Sequence, residues 1–487
     1  MNLGDYQNSF LSAESNNVMD LFKAMQAGQI TGRDTTNLSL TQEPLKMESL
    51  EATLKLLDYR DKDVKLHTRM PKMEAYNTVE EFLQLESYGD RTGGFYREGE
   101  LSDVKDSRYK RRSVTIKYIQ VTGQVTIQAQ MVRSWVPAMK KEIENKAMIV
   151  KQIADRALTK GNSDIIPEEW DSLYKQHRSV GVGEAYLYST EEDYFSSNTV
   201  IDLRGKSLKQ EDVETGAVNA DDNYGSVSDL FAPPSIISAL AKDYYQDQRI
   251  LMDANTAYKG IIGTVPKAIA TTMGDVALMS DKFMKADPSK KIATAIADTK
   301  APAAPTAGTN PALVSDTLAK FATGETGAIR YAVSAINRFG ESALTLLGAT
   351  DITVTIGSAI DLNFTATAGA YETIAYKVYR TKPGQPYTAD FFPIFQVSAA
   401  QVAAGYDGAA AGSVRDRGRI LPDCEQAFLT EMSTDVLSMK ELAPISKVDL
   451  AQISMSRQFV TLYYATPALY APKKFIRYYN VGKQLTT

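Results

Sequence analysis

SRYKRRSVTIKYIQVTGQVTIQAQMVRSWVPAMKKEIENKAMIVKQIADRALTKG, residues 107–161, changes its apolar period once, and that change sets the fold class. In its first half Val114, Ile116 and Tyr118 alternate with polar residues, and so do Val125, Ile127 and Ala129, which is the period of a strand. The phase slips at Tyr118-Ile119, where a bulge is expected. From residue 135 the period becomes helical. Met139, Ile143, Ala147, Val150, Ala154 and Leu158 form one stripe, with Lys140, Glu144, Lys151 and Asp155 off it. Pro137 suits the first helical position, Ser134 can cap, and Gly161 is a natural stop. The predicted helix, 135–160, would be roughly 36 Å long at 1.5 Å per residue.

Upstream, residues 66–134 read as two β arms around a charged tip. Between Arg97 and Arg112 stand Arg97, Lys105, Arg108, Lys110, Arg111 and Arg112 against Glu98, Glu100, Asp103 and Asp106. So polar a projection buries little of itself in one subunit, and long exposed edges are features proteins avoid, so it is expected to lie across a neighbour. Arg97, Arg108, Arg111 and Arg112 are the candidate inter-subunit contacts, because a guanidinium fork can bind a carboxylate through two hydrogen bonds. Residues 1–65 read as an arm. Val18, Leu21, Phe22 and Met25, then Leu50, Leu54 and Leu57, recur at helical spacing around the Gly/Thr/Asn-rich stretch 28–44.

Downstream, residues 161–299 read as a mixed α/β core. Strands are predicted at Val200–Leu203, Ser228–Ala232 and Ile261–Val265, and Pro233-Pro234 introduces a helix bearing Ile236, Ile237, Leu240 and Tyr244. The composition breaks at 286–312, where Ala, Pro, Thr and Lys dominate, as in a linker. Residues 300–422 then read as a β-sandwich, with strands at Ile329–Ile336, Ile352–Ile356, Leu362–Thr367 and Ile374–Arg380. Residues 423–487 return to the main body, with Val460, Leu462 and Tyr464 as alternating apolar positions.

Composition narrows the function. The 487 residues are 44% hydrophobic and 23% charged, with a net charge of −5, which disfavours broad nucleic-acid binding. No apolar run reaches the ~18–20 residues of a membrane span, and the N-terminus carries no signal-peptide pattern. Cys424 is the single cysteine, which rules out an intrachain disulfide and a cysteine metal cluster. His67 and His177 are isolated, so a zinc site has little support. Gly205-Lys206-Ser207 lacks the upstream glycine of a phosphate loop, and Gly181-x-Gly183 lacks the third glycine of a dinucleotide fingerprint. Glu191-Glu192-Asp193 reads as a solvated loop and Lys473-Lys474 as a strand end. No catalytic residue, cofactor site or metal site is predicted.

Three segments carry a family resemblance: SRYKRRSVTIKYIQVTGQVTIQAQMV (107–132), IIPEEWDSLYKQ (165–176) and VDLAQISMSRQFVTLYYATPALYAPKKFIRYYNV (448–481). In this order, with the arm and the late β insertion, the chain resembles the major capsid proteins of large contractile-tailed phages. The resemblance covers most of the chain and implies an α+β, Hong Kong 97-like capsid fold. Residues 1–65 would be the N-terminal arm, 66–134 the extended loop and peripheral strands, and 135–160 the spine helix. Residues 161–299 would be the axial and peripheral core, 300–422 an inserted immunoglobulin-like sandwich, and 423–487 the return to the core. YAVSAINRFGES (331–342) and LNFTATAGAYETIAYKVYR (362–380) resemble fibronectin type III strands, but in reverse order, which favours a sandwich of capsid-insert type.

The implied role is structural: a subunit of hexamers and pentamers in an icosahedral shell around double-stranded DNA. It implies neighbouring copies as partners, then scaffolding, portal and decoration proteins, and nonspecific contact with packaged DNA. Assembly in the host cytoplasm and residence in the virion follow, with no membrane partner. The alternative is a virion or surface binding or adhesion protein acting through the β-sandwich; a hydrolase with dispersed carboxylates has least support.

Overall fold

The computed structural model describes residues 58–89, 92, 94–131, 137–180, 188–189, 191, 194–247, 267–292, 297–386, 388–452 and 454–483. The expected arm helices and the strand at Ile261–Val265 lie outside them. Residues 60–487 form one compact unit, with which all that follows is concerned.

The helix Ala138–Lys160 organises the first core. Its C-terminal half is deeply packed, with Val150, Ala154 and Leu158 fully buried, while Met139, Ile143 and Ala147 are half-covered. It lies against a four-stranded sheet in the order Lys72–Glu74, Leu437–Asp449, Ser456–Leu469, Lys117–Thr126. Leu66, Trp170, Leu173, Tyr463 and Phe475 complete that core. Each such side chain contributes roughly 1.5–3 kcal/mol by leaving water. Asp155, which lies off the stripe, is nevertheless 1% exposed. A residue flanking a stripe on the well-packed half of a helix is covered too, and only its partners explain a charge there.

The strand Ser456–Leu469 pairs antiparallel on both sides, with Leu437–Asp449 and with Lys117–Thr126. One choice the sequence leaves open is made here, and one expectation is corrected. Val460, Leu462 and Tyr464 are on the half-covered face, while Phe459, Thr461, Tyr463 and Ala465 are buried. Both sets are largely apolar, so alternation alone cannot choose between them. The strand Lys117–Thr126 belongs to this sheet and runs without a bulge, so the change of direction comes earlier, at Ile116. Ile127 and Ala129 sit in a short helix, Ile127–Met131.

A second core surrounds a six-stranded mixed sheet. Its order is Val200–Asp202, Phe475–Val481, Glu425–Thr430, Asp229–Ala232, Gly274–Ser280, Ala268–Thr271. Helices Gln210–Asp222 and Pro234–Asp247 pack on it through Val213, Ala217, Ile236 and Leu240. The C-terminal segment therefore supplies an inner strand to both sheets, and Phe475–Val481 is buried along its whole length.

Residues between these strands form a two-sheet sandwich. One sheet holds Thr306–Ala307, Ser358–Thr365, Ala312–Ser315 and Ser413–Asp416; the other holds Gly340–Glu341, Gly327–Asn337, Ala375–Arg380, Phe392–Ser398 and Thr345–Val354. They share a core of Tyr331, Val333, Leu362, Phe364, Val378, Val397 and Val414. The two fibronectin-like segments are neighbours: Gly327–Asn337 pairs antiparallel with Ala375–Arg380, Ser334 opposite Lys377. Beneath them Tyr331 donates to Asp416 at 2.8 Å, and Asp416 also pairs with the buried Arg380.

Candidate assembly surface

The strands Val79–Ser87 and Arg108–Thr115 make an antiparallel hairpin that stands apart from both sheets. Its faces are sorted against the usual rule. Glu80, Phe82, Gln84 and Glu86 point to the half-covered side, while Val79, Leu83 and Leu85 point outward at 45%, 75% and 41% exposure. Tyr109, directly opposite Leu85, is 68% exposed on the same outward face. Beyond them the tip bares Phe95, Leu101 and Val104, each more than nine-tenths exposed. Exposed apolar area grouped on one projection marks a surface built to be covered.

The inner face is held by polar contacts that sequence reading missed. Arg112 donates to Gln84 Oε1 at 2.6 Å and to Glu191 at 2.8 Å, and its guanidinium carbon lies 3.4 Å from the Tyr194 ring centre. Lys110 reaches the same Glu191 carboxylate at 3.3 Å. Hydrogen bonding from Arg112 is the first cause holding the Glu191 carboxyl below its usual range. The Tyr194 hydroxyl donates to the Leu469 carbonyl at 3.0 Å, and burial pushes its ionisation up. Gln84 bonds the Tyr470 carbonyl, and Phe82 meets the Tyr470 ring edge-on at 4.8 Å. The hairpin is thereby fastened to the end of the central strand Ser456–Leu469. Aromatic residues at 194 and 470 were the available signal, but nothing in the sequence tied them to position 112.

The four candidate arginines separate. Arg112 is 19% exposed in its side chain and is engaged within its own chain. Arg111 is 68% exposed and pairs with Glu81 across the outward face. Arg108 is opposite Ser87 at the mouth of the tip, and Arg97 lies within it, its backbone amide donating to Glu100 at 3.2 Å.

Among the described residues no group of three His, Cys, Asp or Glu side chains could hold a metal ion. The polar cleft under the hairpin, about 640 Å³, is lined by Lys110, Arg112, Lys117, Lys175, Arg178 and Asp171 among others; in it Lys175 donates to Ser163 Oγ at 2.9 Å and is paired with Asp171 at 2.7 Å. Gly205-Lys206-Ser207 forms a turn, with Lys206 N donating to the Leu203 carbonyl at 2.9 Å. His67 and His177 are both buried, far apart in the sequence, and each is packed against an aromatic ring, Tyr463 and Phe475 respectively. No helix among the described residues is long and apolar enough to cross a membrane.

No protein-family model matches the sequence. The chain is 23% identical over 497 aligned residues to the major capsid protein of Staphylococcus phage S25-3, covering 99% of this chain and 98% of that one. The same identity and coverage hold for the major capsid protein of Staphylococcus phage K. Among solved structures, the capsid of a native GTA particle is similar over 91% of this chain and 98% of that chain, at 7% identity and a TM-score of 0.47. The capsid of cyanophage P-SCSP1u is similar over 93% and 97%, at 8% identity and a TM-score of 0.41. Structural scores this low decide nothing about role. The sequence relationship runs end to end.

Proposed function

We propose that this chain, a full-length relative of phage major capsid proteins, is the structural subunit of a capsid shell built from copies of itself. The observation that carries the reading is the hairpin. Its outward face and tip expose Leu83, Leu85, Phe95, Leu101, Val104 and Tyr109 on a projection fastened to the body along its inner face. A second copy is the surface that would cover them, and a closed shell supplies one to every subunit.

The finer assignment follows the same reading. Subunits group as hexamers and pentamers of an icosahedral shell around double-stranded DNA, in the virion, after assembly in the bacterial cytoplasm. Residues 1–65 serve as the arm, 66–134 as the extended loop and peripheral strands, 135–160 as the spine, and 161–299 with 423–487 as the core. Residues 300–422 are an insert on the outer surface. Scaffolding, portal and decoration proteins are the further partners. Contact with DNA is weak and nonspecific, in keeping with a net charge of −5. The role requires no cofactor and no catalysis.

The test is assembly of the full chain, expressed alone and with the replacement of Leu83, Leu85 and Tyr109 by serine. Sedimentation and negative-stain microscopy should find capsomers, tubes or shells for the natural sequence, and folded but unassembled subunits for the variant. A natural chain that stays monomeric at every concentration, or a variant that assembles normally, overturns the reading.

A further inference from the structure

Asp155 and Asp281 are buried to 1% and 0% exposure, and they meet at the start of the short helix Leu66–Arg69. His67 N donates to Asp155 Oδ1 at 2.7 Å, and the preceding amide, Leu66 N, donates to Asp281 Oδ2 at 3.2 Å. Phe283 N donates to the other Asp281 oxygen at 2.8 Å. Asp155 Oδ2 is left buried with no donor from the protein. The two amides are consecutive, so the Asp281 and Asp155 carboxyls they bind lie side by side. Two carboxylates are acceptors only, so in this contact something must donate, and the sole hydrogen that can is a carboxyl proton.

The surrounding charges do not replace it. Lys151, one turn earlier on the long helix, is paired with Asp61 at 2.5 Å. Arg69, on the short helix, pairs with Asp229 at 3.3 Å. On the far side His67 Nε2 meets the Tyr463 hydroxyl at 3.0 Å; that hydroxyl donates to Glu441 at 2.6 Å, and Glu441 is paired with Lys72 at 2.9 Å. The Tyr463 oxygen therefore accepts from His67, which is neutral and carries its proton on Nε2. Tyr174, the ring facing Asp281 from the helix Leu173–Gln176, is a buried, un-ionised phenol.

We propose that Asp155 keeps its proton at neutral pH and donates it to Asp281, so that one proton fastens Val64–Met70 to the long helix and to the loop after Gly274–Ser280. The device makes the docking of Val64–Met70 on the body they belong to sensitive to pH. It stands on geometry inside one subunit and does not depend on the shell reading. Burial, then the nearby Asp281 charge, push the Asp155 carboxyl up to about 9. The sign follows. When Val64–Met70 opens, Asp155 enters water and ionises, so opening releases a proton. Opening is then favoured as pH rises from the ordinary carboxyl range to that of the closed form, and levels off above it.

The experiment is hydrogen exchange at the amides of Val64–Met70 in the full chain, corrected for the intrinsic rise of exchange with pH. Protection should fall by about tenfold per pH unit through the neutral range, the slope of one proton. Asp155→Asn keeps an acceptor for His67 N and supplies a permanent donor to Asp281, so its protection should be flat. A flat natural chain, or a variant with the natural slope, overturns the proposal. Should the variant fail to fold, infrared spectra of natural protein labelled at aspartate decide: a protonated carboxyl at neutral pH, lost in alkali, supports the proposal, and its absence at neutral pH overturns it.

Discussion

The Arg112 guanidinium lies 3.4 Å from the centre of the Tyr194 ring while donating to Glu191 at 2.8 Å, so one side chain joins the projecting hairpin to the body by stacking and by charge. Arg112→Ala should loosen the hairpin by about 1–3 kcal/mol, since a charge-assisted bond and a stacked contact go together. Arg112→Lys should recover only part, because an ammonium cannot reproduce the fork to Gln84 and Glu191. Limited proteolysis reads the effect as faster cleavage near the tip with unchanged global stability. An alanine variant cut at the natural rate would show that the hairpin is held elsewhere.

Arg97, Arg108 and Arg111 lie on the tip and the outward face of the hairpin, and we propose that a neighbouring copy meets them there. Their joint replacement by alanine should leave the subunit folded, since the Arg111–Glu81 pair is exposed and such pairs are worth ~0–1 kcal/mol. Assembly should become poorer and more salt-sensitive, because small contacts repeat over every copy of a shell. Light scattering during assembly at rising salt measures it, and salt-resistant particles from the triple variant would assign these arginines to solvent.

The two histidines set an acid limit. Burial lowers His67 to about 4 and His177 to about 3, so both are neutral in the fold and charge on unfolding below their ordinary value near 6.5. Each folded value is depressed, so the stability present above pH 6.5 is lost as pH falls toward the folded values, roughly 3 kcal/mol or more apiece at the extreme. Thermal melts should fall steeply from pH 6.5 to 4. His177→Leu, of similar volume, should flatten that slope. An equally steep fall in the variant would place the acid lability in other groups.

Gly123 faces Phe459 across the sheet, and a side chain there would run into the phenyl ring. Gly123→Val should cost about 1–3 kcal/mol by overpacking, read as a lower denaturation midpoint. The shorter Gly123→Ala should cost less, and Phe459→Ala should open a cavity costing about 3–5 kcal/mol. Two neutral results at position 123 would mean that the ring moves aside freely.

How much of this was legible depends on whether the partner was local. The long helix was, because its stripe, Pro137 and Gly161 lie in one short window; the structure starts it at Ala138 and ends it at Lys160. The strand Lys117–Thr126 was visible as a strand, but its partner is more than 300 residues away, and alternation says nothing of partners. The burial of Asp155 was not legible, because position 281, which explains it, has no periodic relation to it. The outward apolar face of the hairpin was written in Val79, Leu83 and Leu85 against Glu80, Gln84 and Glu86. The charges at its tip drew the reading toward arginines instead, and Arg112 turned out to be spent on Glu191 and Tyr194.

The insert should be removable. Gly274–Ser280 and Glu425–Thr430 are separated in their sheet by the single strand Asp229–Ala232. Ser280 is level with Ala232 in parallel register, and Glu425–Thr430 runs antiparallel to the same strand, with Phe428 opposite Phe231. The chain thus leaves the sheet and returns to it at one end, two strand spacings or about 10 Å apart, a gap a few residues can bridge. The insert also has its own core, so its removal exposes little of the two others. What it takes away is mainly polar: Lys377 from Asp287, which keeps Lys160, Glu325 from Arg204, Glu341 from Lys290, Arg338 from Glu168 and Lys382 from Asp423, with Ile292 losing its packing against Leu344, Tyr379 and Phe391. Replacing residues 300–422 by a short glycine-serine linker should therefore leave a folded body that melts cooperatively a few degrees lower and still forms capsomers. A second change, Asp287→Asn, should cost the full chain more than the shortened one, because only the full chain has Lys377 to leave unpaired beside Lys160. A shortened chain that does not fold would show that the sandwich belongs to the core.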